Sequence, residues 1–68
     1  MRLTLARDLK AGSRMRTEDG FRMIESVESD PSTWVTGGRK KKSAVAIKIT
    51  LHGGEVHFAH PGDELISD

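Results

Sequence analysis

The sequence predicts an all-β domain, built as a small barrel or a strongly bent antiparallel meander of five to six short strands. Two stretches carry most of this expectation, SRMRTEDGFRMI over residues 13–24 and SAVAIKITLHGGEVHFAH over residues 43–60. Each alternates apolar and polar residues with period two around a glycine turn, which is hairpin chemistry. No stretch shows a helix-length apolar stripe. Closing or bending such a sheet removes exposed strand edges, so a barrel is favoured over a flat sheet.

The elements follow in order. Leu3 and Leu5 alternate with Arg2, Thr4 and Ala6, giving a first strand over residues 2–6 with one buried face, whose partner comes later in the chain. DLKAG, residues 8–12, is a turn in which Asp8 bonds the downstream backbone, Gly12 takes positive φ and Leu9 tucks under as a plug. A second strand over residues 13–17 leads to Glu18-Asp19-Gly20, read as a three-residue loop with Gly20 left-handed. That register pairs Thr17 with Phe21, Arg16 with Arg22, Met15 with Met23 and Arg14 with Ile24, and sends Phe21 and Met23 into the core. A two-residue turn would instead place Arg14 and Arg16 on the face of Phe21 and Met23. Ile24 and Val27 cannot both continue that face, which predicts a bulge or sharp bend near Glu25.

Beyond it, Asp30-Pro31 is read as the bend of a second hairpin over residues 24–36, with Thr33 to Thr36 as its return strand and Trp34 covering it. Gly37-Gly38 and the cationic run Arg39, Lys40, Lys41 and Lys42 form a loop. In the last hairpin, Gly53-Gly54 as a two-residue turn pairs Leu51 with Val56, Ile49 with Phe58, Thr50 with His57 and His52 with Glu55. Every apolar residue, Phe58 included, then falls on one side. Residues 60–64, HPGDE, read as a turn or one 3₁₀ turn before a last short strand at Leu65 and Ile66.

A chain of 68 residues makes one domain, and at this size only about 60% of the surface is buried on folding. Nearly every large apolar side chain is needed for the core, leaving no room for a small-molecule cavity of about 300 Å³. The absence of cysteine excludes disulfides, thiolate zinc sites and a cysteine nucleophile, and is compatible with a reducing cytoplasm. Arg2, Arg7, Asp8, Lys10, Arg14 and Arg16 interrupt any secretory signal, and no run approaches membrane-spanning length. A soluble, cytoplasmic protein with no membrane association is expected.

Charge is segregated although the net is only +1: residues 1–22 carry +3, 23–38 carry −3, 39–48 carry +5 and 49–68 carry −4. Separated patches of this kind orient a partner. Arg14, Arg16 and Arg22 form one candidate cluster, in which Arg16 and Arg22 are cross-strand neighbours whose repulsion a phosphate or acidic partner would relieve; the bland alternative is fanning into water or pairing with Glu18, Asp19 or Glu25. Arg39, Lys40, Lys41 and Lys42 form the second, able to contact phosphates without fixed geometry or merely to stay solvated. With Phe21 and Phe58 assigned to the core, Trp34 is the sole aromatic platform, set against a packing role. His52, His57 and His60 share one hairpin but not one face, so no metal site is expected, and no cofactor. No nucleophile stands with a base and no carboxylates pair in a cleft, so the chain is read as not an enzyme.

The segment ARDLKAGSRMRTEDGFRMIESVE, with IKITLHGGEVHFAHPGDELI, resembles small actinobacterial and actinobacteriophage proteins of unknown function: a strand, a DL-x-x-G turn, a hairpin ending V-x-S-V-E, then strand, glycine turn, strand and a D-E-L ending. That resemblance implies an SH3-like β-barrel, and the strand order suits it. DLKAG is also similar to the opening of hedgehog and intein-type self-splicing domains. The lack of cysteine, and of a histidine three residues after Thr33 or Thr50, argues against that chemistry. The expectation is a non-catalytic binding module, phage-encoded, that docks a host or phage protein through a strand edge and a charged loop, with the exposed faces bearing Arg14, Arg16, Arg22 and Trp34 as the contact. The alternative is nucleic-acid binding through the same arginines and residues 39–42, and a homo-oligomer sharing a sheet edge is a third reading.

Overall fold

The computed structural model describes all of residues 1–68. Six strands, β1 (Arg2–Leu5), β2 (Arg14–Thr17), β3 (Gly20–Gly37), β4 (Lys42–Leu51), β5 (Val56–Ala59) and β6 (Glu64–Ser67), form one antiparallel sheet, with no helix beyond a 3₁₀ turn at Ala6–Asp8. Their spatial order is β1-β6-β2-β3-β4-β5. Strands β2 to β5 are thus a meander, while β6 returns to separate β1 from β2. The sheet is bent but not closed, since β1 and β5 each pair on one side only.

The first strand, its late partner, the Gly12 turn at φ +91° and the buried Leu9 plug are present. Leu3, however, is 63% exposed while Ala6 is fully buried, which corrects the buried face read for Leu3 and Leu5, and the Asp8 side chain makes no hydrogen bond to the downstream backbone. The irregularity at Glu25 stands as expected: the β3–β4 register shifts between Ile24 and Ser26, which lets both Ile24 and Val27 face the core opposite Leu51 and Ile49.

Both hairpin registers differ from expectation by one residue. Thr17 pairs with Gly20, Arg16 with Phe21, Met15 with Arg22 and Arg14 with Met23. The loop is therefore the two-residue Glu18-Asp19. Thr17 selects it, because its Oγ1 donates to the Gly20 carbonyl at 2.9 Å and accepts from the Asp19 N–H at 3.2 Å. In the last hairpin Thr50 pairs with Val56, Ile49 with His57, Lys48 with Phe58 and Ile47 with Ala59. Its loop has three residues, His52 to Gly54, closed by the Leu51 N–H on the Glu55 carbonyl at 2.8 Å, with Gly53 and Gly54 both at positive φ.

Volume accounts for both slips. The core consists of Ala6, Leu9, Met15, Ile24, Ile47, Ile49, Leu51 and Ala59, with Val27 and Leu65 packed against it. Four of the six strands have only four residues, so the sheet encloses little space, and Phe21, Met23, Val56 and Phe58 would overfill it. Ala59 and the half-buried His57 take the inward positions of β5 instead. Phe21, Met23 and Phe58 are 38%, 45% and 48% exposed, which corrects their assignment to the core.

Two further corrections concern turns. Residues 24–36 form no hairpin of their own: β3 runs on to Gly37, and Pro31, Ser32 and Thr33 are bulged out between the pairs Asp30–Ala46 and Trp34–Val45. The Asp30 carboxylate holds this bulge, accepting from the Ser32 N–H and from the Ser32 and Thr33 hydroxyls, and these bonds keep its pKa below the usual carboxylate range. The turn expected after His60 is present at Pro61 and Gly62, with β6 opening at Glu64, whereas a 3₁₀ turn at residues 6–8 stands where the end of the first strand and the start of the DLKAG turn were expected.

Candidate binding surfaces

The β2–β3 register brings Arg14 opposite Met23 and Arg16 opposite Phe21, so two guanidinium groups and two apolar side chains share one outward face. Arg14 pairs with Asp68 at the chain end, whereas Arg16 has no carboxylate at ion-pair distance. Arg22 does not belong to this cluster, which corrects the expected Arg16–Arg22 neighbourhood. It lies on the opposite face, where Nη1 donates to Glu55 Oε1 at 3.1 Å and Nη2 to the His52 carbonyl at 2.9 Å. Its partner is thus the β4–β5 loop and not Glu18, Asp19 or Glu25, and its role is to fasten that loop to β3.

Glu55 also accepts from His57 Nε2, and this bond, together with the nearby Arg22 charge, lowers the Glu55 pKa. A depressed carboxyl stabilises the fold fully above its unfolded value and loses that contribution as pH falls through the folded one. The melting temperature of the wild type will therefore drop on acidification below the ordinary glutamate range more than that of Glu55→Gln, as followed by circular dichroism. Arg22→Ala will lower the melting temperature by about 4 to 8 °C, the equivalent of ~1 kcal/mol in a domain this size. Arg22→Lys will not restore it, because one ammonium cannot reproduce the two-pronged contact.

Trp34 is 65% exposed on β3, so it packs into no core. Val56 and Phe58 stand on β5 beside Thr50 and Lys48. Exposed aromatics are thus three, not one. Arg39, Lys40 and Lys41 lie in the β3–β4 turn and Lys42 opens β4; Arg39 reaches Glu64 at 3.5 Å, and the three lysines have no carboxylate partner.

That turn is held by a residue the sequence reading passed over. Asp63 accepts from the Gly38 N–H at 2.8 Å through Oδ1 and from the His60 N–H at 3.1 Å through Oδ2, joining the β3–β4 turn to the β5–β6 turn. Gly37 fits only without a side chain, since a Cβ there would lie 2.8 Å from Asp63 Oδ1 and 2.9 Å from His60 Cβ. Paired glycines in one turn and an aspartate in another were the available signal; nothing in the chain states that they meet. Arg7, Phe21, Met23 and His60 were likewise absent from the expected site residues.

Three open concavities of about 590 to 650 Å³ indent the surface, which corrects the expectation that the chain has no room for a pocket. They lie between turns and strand edges rather than inside the sheet. His52, His57 and His60 do not converge, and no group of His, Cys, Asp or Glu has metal-binding geometry.

Fold and surface define a small all-β domain that presents arginines and aromatics outward. Comparison with protein-family models, curated proteins and solved structures finds no match. No helix is long and apolar enough to cross a membrane.

Proposed function

We propose that this chain is a non-catalytic binding module, an SH3-like barrel related to small actinobacterial and actinobacteriophage proteins, that docks a host or phage protein in the bacterial cytoplasm. One observation carries the reading: Phe21 and Met23 stand exposed directly across from Arg16 and Arg14. Aromatic, methionine and arginine side chains are the residues enriched where proteins bind one another, and here they stand on rigid paired strands. Trp34, exposed farther along β3 opposite Val45, offers a separate aromatic contact. Affinity capture with the wild type beside Phe21→Ser/Met23→Ser tests it. A partner retained by the wild type, shown to bind in purified form, and weakened at least about tenfold by the double variant, about 1.4 kcal/mol, is the expected result. Equal binding by both would sink the assignment of this face.

Nucleic-acid binding is the second reading, favoured by the unpaired Lys40, Lys41 and Lys42 and by the exposed aromatics. It predicts affinity for mixed DNA or RNA that falls steeply between about 50 and 200 mM salt and is lost when residues 39–42 become serine. No binding at the lower salt eliminates it.

A further inference from the structure

One concavity, of about 650 Å³, opens where the 3₁₀ turn, the β3–β4 turn and the β5–β6 turn meet. The backbone ties the 3₁₀ turn to the β5–β6 turn, with the Ala6 N–H donating to the Asp63 carbonyl at 2.8 Å and the Arg7 N–H to the Pro61 carbonyl at 3.4 Å, and the Asp63 carboxylate ties in the β3–β4 turn through the Gly38 N–H. Arg7, Arg39, Lys40 and Lys42 line the concavity against a single carboxylate, Glu64, and only Arg39 reaches it. Gly37, Gly38 and Gly62 also line it, which lets a ligand approach the main chain closely.

A second observation is independent of charge. His60 lines the same concavity, and its Nδ1 accepts the Gly62 N–H at 2.9 Å, so the neutral ring carries its proton on Nε2. That N–H is the one buried side-chain polar atom in the protein without a hydrogen-bond partner. A donor left without an acceptor beside excess positive charge is an arrangement an anion completes.

We propose that this concavity binds a small phosphate monoester. Arg7, Arg39, Lys40 and Lys42 hold the dianion, and a small rotation of the His60 ring, whose Nε2 is buried as it stands, would add Nε2–H as a neutral donor. Arginine forks and lysine point charges both suit phosphate oxygens. The volume falls within the range of sites for nucleotide-sized molecules. The site is separate from the Arg16 and Phe21 face, and it shares only Arg39, Lys40 and Lys42 with the nucleic-acid reading.

The test is titration of the isotopically labelled protein at low salt with inorganic phosphate and with AMP, with adenosine as the uncharged control, followed by NMR. Phosphate and AMP should produce saturating shifts at the Gly38 and Gly62 amides and the His60 ring, and adenosine none. Arg7→Ser/Lys42→Ser, which breaks no ion pair, should weaken both ligands at least about tenfold at unchanged melting temperature. Shifts that rise without saturating, an equal response to adenosine, or full affinity in the double variant would overturn the site. An oligothymidylate without terminal phosphate separates the two readings: its binding without phosphate saturation leaves nucleic acid alone, and the reverse leaves only the monoester site.

Discussion

Asp63→Ala will lower the melting temperature by roughly 12 °C or more, because it removes two charge-assisted hydrogen bonds worth about 1.5 to 3 kcal/mol each. The whole domain is expected to be stable by only about 3 to 10 kcal/mol. The carboxylate is the sole side-chain link from Gly38 to His60, so its loss releases both turns together. Asp63→Asn keeps one acceptor and should recover part of the loss. Gly37→Ala should be nearly as damaging, since the added methyl meets Asp63 Oδ1 and His60 Cβ below 3.0 Å and the backbone must move. A shift of under about 3 °C for Asp63→Ala in thermal circular dichroism would show that the interlocked turns contribute little.

Ile49→Ala will cost about 2 to 5 kcal/mol, enough to unfold much of the population at 37 °C, while Phe58→Ala will cost under about 1 kcal/mol. The pair of variants tests the register directly. Ile49 is fully buried and faces His57, whereas Phe58 stands outward beside Lys48 and is half exposed. In the alternative register, with Gly53-Gly54 as a two-residue turn, Phe58 would be a core residue and its truncation would cost about 3 to 5 kcal/mol. Comparable losses from the two variants in urea denaturation would therefore reject the observed β4–β5 pairing.

Much of the candidate site depended on these registers. Arg14 and Arg16 were legible as surface groups because they alternate with the buried Met15, whereas Trp34, read as covering a second hairpin, stands exposed. Arg22 was misplaced, and Phe21, Met23 and Phe58 were hidden, by single-residue slips in two loops. Thr17 decided the first loop through its hydroxyl, and consecutive positive φ at Gly53 and Gly54 accompanies the second. The anion-site candidate was illegible for another reason: Arg7, Gly38 and His60 are far apart in the chain and meet only because β6 returns between β1 and β2.

The sequence by itself determined the all-β class, the approximate position of every strand except the long β3, the Gly12 turn over Leu9 and the bulge at Glu25. These depend on alternation and on the φ each residue tolerates, both of which are local. Only the tertiary structure decided which side of each hairpin faces inward. Period-two alternation is unchanged in spacing by a slip of one residue, yet the slip exchanges the two faces. What breaks the tie is the small volume enclosed by a sheet in which four strands have only four residues, which admits Ile24, Ile49 and Leu51 and leaves the phenylalanines outside.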